Sequence, residues 1–312
     1  MVTLEDINVA QTRISPFIHR TPIYTCNSLN ELTGAKLYFK CDNFQKAGSF
    51  KIRGATNTVL QLSPEELNHG VITTSSGNHG AALALAATKQ GADVQVVMPN
   101  NTSRIKIQNV ERYGGKIIYC EPNHESRENT LKEMVERTGA IVVHPYNDER
   151  IVAGQGTAAN ELLTDLSSLD AIISPVSGGG LLCGTLLAAK GIDSNIKVYG
   201  AEPMGADDTY RSIQEGKIVP NKRVDTIADG LRAQVGTITF PIIQEMVDEI
   251  IPVSEETIID SMRMIWERLK IMVEPSSSIV LGGLLSKKEV FNNKKVGLIL
   301  SGGNVDLDNI PW

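Results

Sequence analysis

Short apolar runs alternate with amphipathic stretches along most of this 312-residue chain. Runs at residues 37–40, 71–74, 171–176 and 296–301 are short, and several lead into glycine-rich turns, which is typical of buried strands. Over residues 256–271 the apolar positions recur every three or four residues, and this spacing predicts an amphipathic helix. Strands that alternate with helices predict parallel sheets covered by helices on both faces, and two such series predict two α/β lobes.

Composition and charge limit the classes of binding partner and the cellular compartment that the chain is expected to have. Apolar residues make up 41% of the chain and the net charge is −6, so a nucleic-acid partner is not expected. No apolar stretch approaches the roughly 20 residues of a membrane helix, and the N-terminus has an amphipathic pattern rather than that of a signal peptide. The four cysteines form no CxxC pair, which favours a reduced setting. We therefore expect a cytoplasmic protein that binds neither nucleic acid nor membrane.

The stretch KCDNFQKAGSFKIRG, residues 40–54, contains the first candidate for chemistry. Gly48 and Ser49 allow a tight turn into a helix, which places Lys51 in the first helical turn. The positive end of the helix dipole favours the neutral amine there, and Schiff-base chemistry requires a neutral amine. A solvated lysine at a helix start is the more common meaning of such a position, so this stretch alone leaves both interpretations open.

Two glycine-rich loops follow predicted strands. The first loop is Ser177-Gly178-Gly179-Gly180, whose backbone N–H groups point toward a helix start. A phosphate is the ligand most often bound at such a position, although a simple tight turn has the same sequence pattern. No Walker lysine is present, and Cys183 occupies the third glycine position of a dinucleotide motif. The loop SSGNHG, residues 75–80, is richer in side-chain donors and suits a carboxylate, with a helix N-cap as its alternative meaning.

A third loop, SGGN, begins with Ser301 at the end of a buried strand. Ligands of open α/β sheets collect at this edge, so Ser301 would place a neutral hydroxyl among them. One lysine, two anion-binding loops and this hydroxyl would together hold a phosphorylated aldehyde cofactor and the carboxylate of an amino acid.

The motifs HRTPIYT, SFKIRG, SSGNHG, AGQGT, SGGGL, GAEP, TIADG and SGGN occur in this order over essentially the whole chain. Together they resemble the fold-type II pyridoxal-phosphate enzymes, in particular the serine racemase and serine/threonine dehydratase family. The resemblance implies a two-lobed α/β fold like that of tryptophan synthase β, with pyridoxal 5'-phosphate as cofactor and an amino acid as substrate. It implies a large cofactor-binding domain of residues 1–66 and 148–312, a small substrate-side domain of residues 67–147, and a homodimer.

The resemblance also assigns cofactor contacts. Lys51 would carry the cofactor as a Schiff base, with Phe50 beside the ring. Ser301 would hydrogen-bond the pyridine nitrogen, and Asn78 would contact the ring hydroxyl. The phosphate would lie against the loop formed by Gly178, Gly179, Gly180 and Leu181.

For the substrate, the resemblance implies a set of carboxylate-binding residues together with Arg127 of the HESREN run. Lys51 would remove the α-proton on one face of the substrate, and Ser76 would return a proton on the other face. If the β-hydroxyl leaves first, the products are pyruvate and ammonia. The residues implied for the carboxylate are Ser75, Ser76, Asn78 and His79.

The GAEPMGADD segment suggests a divalent metal site at Glu202, the Ala206 carbonyl and Asp208. Hard oxygen ligands of this kind suit Mg²⁺, Ca²⁺ or Mn²⁺, usually with waters completing the shell, although two loop carboxylates are more often solvated. The resemblance favours the metal, because racemase-like members place a divalent ion there. Nucleotide activation also occurs in that group, so ATP is the expected activator.

We therefore expect a serine racemase that also eliminates serine to pyruvate and ammonia. Departures from animal racemases leave alternatives open: Tyr146-Asn147-Asp148 is closer to dehydratases, and Ala233-Gln234 replaces paired serines. The alternatives are a dehydratase of serine, threonine or 3-hydroxyaspartate, a racemase of an acidic amino acid and, more remotely, a non-catalytic protein that binds the cofactor or an amino acid.

Overall fold

The computed structural model describes residues 2–75, 77–102, 104–221 and 223–312. Their strands are β1 Ile23–Tyr24, β2 Lys36–Cys41, β3 Val71–Thr74, β4 Val94–Pro99, β5 Lys116–Cys120, β6 Ile141–Val142, β7 Ala171–Pro175, β8 Lys197–Pro203, β9 Glu249–Val253 and β10 Lys295–Leu300. Their helices are α1 Leu4–Ile14, α2 Asn27–Thr33, α3 Lys51–Val59, α4 Pro64–His69, α5 Asn78–Thr88, α6 Arg104–Arg112, α7 His124–Thr138, α8 Glu149–Asp165, α9 Gly180–Ile192, α10 Asp208–Glu215, α11 Thr239–Met246, α12 Glu255–Leu269, α13 Pro275–Ser286 and α14 Lys288–Phe291.

The strands form two separate sheets. The larger has the order β1-β2-β10-β7-β8-β9 and is parallel except for the antiparallel edge pair β1–β2. The smaller has the order β5-β4-β3-β6 and is parallel throughout. Parallel strands are joined by helices that cover both faces of a sheet, as the alternating pattern predicted. The mixed α/β fold is confirmed, whereas the exact domain boundaries stay a prediction.

Helix α3, which carries Lys51, packs closely against α8. An added Cβ at Gly154 would lie 2.6 Å from the Gly54 Cα, so the two backbones touch at a pair of glycines. Gly156 and Gly184 make a similar approach between α8 and α9, where an added Cβ on Gly184 would lie 2.4 Å from the Gly156 nitrogen. These contacts explain the small residues of the AGQGT motif and fix α3 against the large sheet.

Most helix boundaries agree with the sequence pattern. Helix α1 has the expected limits, and Ser63 forms a capping box with Glu66 at the start of α4, where Pro64 occupies the first turn. Helix α8 begins at Glu149, earlier than the expected start at Gly154, because Asp148 caps it. Strand β9 and helices α10, α11, α13 and α14 were not predicted. No helix in the described ranges has the length and apolar character needed to cross a membrane.

Candidate active site

Lys51 lies at the start of α3, beside the loop that follows β10. The Phe50 N–H donates to the Ser301 carbonyl at 2.9 Å, and Ser49 forms an isolated bridge with Gly302. The preceding backbone is constrained as well, because Ala47 adopts the left-handed φ of 57° that few non-glycine residues accept. The sequence thus brings Lys51, Phe50 and Ser301 together, as expected.

The amine of Lys51 is in an environment that favours its neutral form. Its Nζ donates to the Pro145 carbonyl at 2.7 Å and lies 5.2 Å from the Phe50 ring centroid. Burial lowers the pKa of Lys51 to about 8. Two neighbouring imidazoles are also kept neutral, since burial and the nearby Lys51 lower the pKa of His79 to about 3 and that of His144 to about 4. About a tenth of Lys51 is therefore an uncharged nucleophile at pH 7, and about half of it at pH 8.

The opposite face of the same helix turn carries a closed network of buried charges. Arg53 donates to Asp42 from Nε at 2.6 Å and to Glu161 from Nη1 at 2.8 Å. Glu161 also pairs with the buried Lys40 at 2.6 Å. The network joins α3 to α8 and to the turn after β2, so it anchors the helix that presents Lys51.

The glycine loop, residues 177–180, forms the N-terminal entrance to α9. Gly179 adopts a φ of +95°, and an added Cβ on Gly178 would lie 2.3 Å from the Tyr146 ring, so neither position accepts a side chain. Thr239 Oγ1 donates to the Gly178 carbonyl at 2.6 Å and holds the loop from the other side. This narrow cradle ends at a helix N-terminus, which suits a phosphate.

Tyr146 connects this loop to Lys51. It follows Pro145, whose carbonyl accepts from the lysine, and its ring lies over the glycine loop. The His144 Nδ1 accepts from the Asn147 N–H at 2.8 Å and fixes the turn. The amine and the phosphate cradle therefore lie on two sides of one short segment.

The segment that leads into the first turn of α5, consisting of Ser75 and residues 77–80, is termed the Ser75 loop. The Ser75 Oγ accepts from the Gly77 and Gly80 N–H groups at 3.1 and 3.0 Å. The His79 Nε2 lies 3.2 Å from the Val143 carbonyl and must donate to it, which leaves Nδ1 as a buried acceptor without a partner among the described residues. The neutral ring has no second N–H for a carboxylate, so a carboxylate would be bound by backbone N–H groups. Ser76 lies outside the described residues.

Asn78 is held at both ends of its carboxamide. Its Nδ2 donates to Glu274 Oε1 at 2.7 Å, and its Oδ1 accepts from Asn304 Nδ2 at 2.9 Å. Burial and the neighbouring Asp229 raise the pKa of Glu274 to about 8. The second N–H of the Asn78 amide remains available for a ring hydroxyl.

Arg127 belongs to α7 and faces Tyr146, where its positive charge counteracts the burial that raises the tyrosine pKa. Its Nε is buried without a hydrogen-bond partner among the described residues. An unsatisfied guanidinium nitrogen beside the candidate site fits an anionic ligand.

The two carboxylates of the expected metal site lie together, with Glu202 near the end of β8 and Asp208 at the start of α10. Glu202 accepts from the Thr209 and Tyr210 N–H groups at 3.0 and 2.8 Å, and Asp208 accepts from the Val235 N–H at 2.8 Å. Burial and the adjacent Asp208 raise the pKa of Glu202 to about 8, and burial raises that of Asp208 to about 6. Ala206 is also buried, in the short turn between them. Over the described ranges no three His, Cys, Asp or Glu side chains gather around one point, so carbonyls and waters would have to complete a metal shell.

Sequence reasoning missed Thr239, Glu274 and the position of Tyr146 over the glycine loop. The only local signal for Glu274 was a carboxylate that follows an apolar run. Such carboxylates are common at helix starts, so this one did not point to the site. Thr239 and Tyr146 carry no signal, because their contacts with the loop join residues 61 and 32 positions apart in the sequence.

The residues present fit pyridoxal phosphate. The side-chain-free cradle at Gly178, Lys51 with its lowered pKa and the doubly anchored Asn78 offer groups for the phosphate, the aldehyde and the ring hydroxyl, respectively. The Arg127 guanidinium, whose Nε has no hydrogen-bond partner among the described residues, offers a positive charge to the substrate carboxylate. The individual residue roles remain predictions.

Comparisons with known proteins agree with this geometry. The family model described as pyridoxal-phosphate dependent enzyme matches residues 14–302. The chain is 48% identical to a serine racemase of Dictyostelium discoideum, covering 99% of this chain and 97% of that protein. It is 46% identical to a beta-hydroxyaspartate dehydratase of Paracoccus denitrificans, with coverage of 99% and 98%. The solved maize serine racemase superposes with a TM-score of 0.97 at 46% identity, covering 98% of this chain and 95% of that one. The chain therefore belongs to the pyridoxal-phosphate dependent enzyme family.

Proposed function

We propose that this protein is a serine racemase that also eliminates serine to pyruvate and ammonia. The observation that carries the proposal is the partly buried Lys51, with a pKa lowered to about 8, in a chain nearly half identical to serine racemases over its full length. An enzyme of this type needs a neutral amine that exchanges a proton with the α-carbon of the substrate.

Each residue has a role in this proposal. Lys51 would hold the cofactor, and its neutral Nζ is the base for the α-proton, positioned by the Pro145 carbonyl. The backbone of the Ser75 loop and the guanidinium of Arg127 bind the substrate carboxylate. Ser76 returns the proton on the opposite face, an assignment supported by the resemblance alone.

When bound, pyridoxal phosphate supplies an electron-withdrawing ring that acidifies the α-carbon. Asn78 would donate to the ring hydroxyl, and Ser301 would present a neutral hydroxyl to the ring nitrogen. A neutral hydroxyl at that position would not favour protonation of the nitrogen. The phosphate would be held by Gly178, Gly179, Gly180 and the Leu181 N–H at the start of α9.

We further propose a Mg²⁺ site at Glu202, Asp208 and the Ala206 carbonyl. Two adjacent buried carboxylates with raised pKa values support a cation there. ATP as an activator, a homodimeric assembly and a cytoplasmic location complete the proposal, together with domains of residues 1–66 with 148–312 and of residues 67–147. The four unpaired cysteines of the described chain support the reduced compartment.

One alternative has an observation in its favour. The chain is 46% identical to a beta-hydroxyaspartate dehydratase, and its Tyr146-Asn147-Asp148 run is closer to the dehydratase pattern than to that of animal serine racemases. A dehydratase of 3-hydroxyaspartate would eliminate the hydroxyl without returning the α-proton.

One assay separates the two functions. The purified holoenzyme is incubated with L-serine, with and without Mg²⁺ and ATP, and D-serine and pyruvate are quantified together. We expect both products, with rates increased by Mg²⁺. Pyruvate without D-serine, combined with faster ammonia release from 3-hydroxyaspartate, would replace the racemase by the dehydratase. A Lys51→Ala variant with full turnover would remove Lys51 from the mechanism.

A further inference from the structure

Lys106 of α6 spans the cleft between the two sheets. Its helix belongs to the smaller sheet, yet its Nζ forms an ion pair with Asp229 of a short turn on the larger one. Only 9% of the Lys106 side chain is exposed, against 65% for Lys116, whose pair with Asp93 is an ordinary surface contact. A lysine this deeply buried is uncommon unless the position requires its charge.

The stem of Lys106 lies on the Ser75 loop. An added Cβ at Gly77 would lie 2.7 Å from the Lys106 Cδ and 3.1 Å from its Cε, so the methylene groups cover the outer side of the loop. The Gly77 N–H donates to the Ser75 Oγ, which also caps Gly80. Lys106 therefore packs against the turn that shapes the segment proposed to bind the substrate carboxylate.

The large-sheet end of this contact is itself anchored. Gly230, the residue after Asp229, donates to the Ser276 hydroxyl at 2.9 Å in the first turn of α13. Two residues before Ser276, the Glu274 carboxyl accepts from Asn78 of the same Ser75 loop. The loop is thus hydrogen-bonded on one side through Asn78 and covered on the other by Lys106. Both contacts lead to the start of α13, directly through Glu274 and indirectly through Asp229 and Gly230.

The charges around the loop are coupled. Asp229 and Glu274 are carboxyl groups near Lys106, and of the two Asp229 forms the ion pair with its ammonium. The charge of Asp229 raises the pKa of Glu274, and that of Lys106 lowers it. Without that ammonium, Asp229 would lose its ion-pair partner beside the protonated Glu274. The loop would lose both its cover and its electrostatic attachment to the large sheet.

We infer that the Lys106–Asp229 ion pair is a positioning device that holds the Ser75 loop in the geometry needed to bind the carboxylate of the amino-acid substrate. The inference rests on the proposed function for the identity of that substrate. A loop fixed before binding costs less conformational entropy when the ligand arrives, so the pair acts on substrate affinity. Lys106 touches neither cofactor nor substrate in this role.

The test compares Lys106→Met, Lys106→Arg, Asp229→Asn and the Lys106→Met/Asp229→Asn double variant. Methionine keeps a stem over Gly77 and removes the charge, whereas arginine keeps a charge that reaches Asp229. For a partly buried ion pair we expect the KM for L-serine to rise about tenfold in Lys106→Met and in Asp229→Asn, with kcat changed less than about threefold. Lys106→Arg is expected to stay within about threefold of the parent, and the double variant to be no worse than either single variant.

Two controls isolate the effect. Lys116→Met removes the exposed ion pair of the same lobe and should leave KM unchanged. Titration of each holoenzyme with L-serine, followed by cofactor absorbance, gives a half-saturation concentration that does not depend on turnover. If the parent makes neither D-serine nor pyruvate, the proposed function fails while this titration still tests the loop.

The inference is overturned if Lys106→Met binds L-serine as tightly as the parent. It is also overturned if the thermal midpoint and kcat fall together with affinity and Lys106→Arg restores none of them, since that pattern marks a general loss of structure. Additive effects of the two single changes in the double variant would show that the residues act separately.

Discussion

Two basic residues on one helix turn lie in opposite electrostatic surroundings. Arg53 is completely buried and is bound by the carboxylates of Asp42 and Glu161. Lys51, two residues earlier, has a carbonyl oxygen as its partner, and within the described chain no carboxylate pairs with it. The pKa of Arg53 is raised by its two anions despite burial, whereas the pKa of Lys51 falls to about 8. The charge of Arg53 is permanent and anchors the helix, whereas Lys51 readily loses its proton and is available for chemistry.

The same contrast separates two groups of buried acids. Asp42 and Glu161 have cations within hydrogen-bond distance, and arginine lowers the pKa of Asp42 in spite of burial. Glu202 and Asp208 lie together with backbone and amide donors, and the pKa of each is raised. Neutralised networks of this kind hold a fold together, whereas uncompensated groups point to chemistry or to a missing ligand.

The largest expected effect comes from removing the available amine. Lys51→Met should lower kcat by about 10⁴-fold or more, because it removes the amine proposed to exchange the α-proton and to hold the cofactor. Urea unfolding should show a free energy no lower than that of the parent, since a partly buried amine without an anion is replaced by an apolar chain. D-serine and pyruvate formation measure the first quantity. A variant within tenfold of the parent rate would contradict the role of Lys51.

Removing the charge of Arg53 should mainly lower the free energy of unfolding, in contrast to the change at Lys51. Arg53→Met leaves two buried carboxylates without their guanidinium, and we expect a loss of about 3–5 kcal/mol in the free energy of unfolding. Urea titration followed by circular dichroism measures it, with Lys51→Met as the matched control on the same helix. Equal stability of the two variants would show that the network around Arg53 contributes little to the fold.

The ionisation of Lys51 can be followed through cofactor attachment. Only the neutral amine reacts, so the rate at which apoenzyme takes up pyridoxal phosphate should rise about tenfold per pH unit and level off above about pH 8. The ordinary lysine value of 10.5 would instead place the plateau above that pH. Between these values the folded chain binds fewer protons than the unfolded chain, so the contribution of Lys51 to stability rises with pH. Stopped-flow absorbance gives the rate, and a plateau near 10.5 would contradict the lowered pKa.

These partnerships show how much the sequence could predict. The glycine loop, the Ser75 loop and the start of α3 depend on signals within a few residues, namely glycines and the end of an apolar run, and all lie where the pattern placed them. The fold class followed from the alternation of strands and helices. The sequence pattern was therefore sufficient to predict these three segments, but not α11 and α13, which bring Thr239 and Glu274 to the site.

The hydrogen-bond and ion-pair partners of the charged and polar side chains could not be predicted from the sequence pattern. Arg53 meets Glu161 across 108 residues, and Asn78 meets Glu274 across 196. Local pattern does not specify which distant carboxylate a buried cation will find, because that depends on how helices pack. The ion pair of Lys106 with Asp229, 123 residues away, was missed for the same reason.

The smallest of these effects concerns the uncompensated acids. If Glu202 and Asp208 bind Mg²⁺, a free concentration about a hundredfold above the dissociation constant should stabilise the folded chain by about 2.7 kcal/mol. Thermal unfolding with Mg²⁺ and with chelator measures this difference. Asp208→Asn removes one charge while its amide still fits the site, and should abolish most of the response. Asp165→Asn, in an exposed ion pair with Arg20, is the control that should respond as the parent does. A Mg²⁺ response that persists in Asp208→Asn would place the ion elsewhere, and the two acids would then be buried carboxylates satisfied by backbone donors alone.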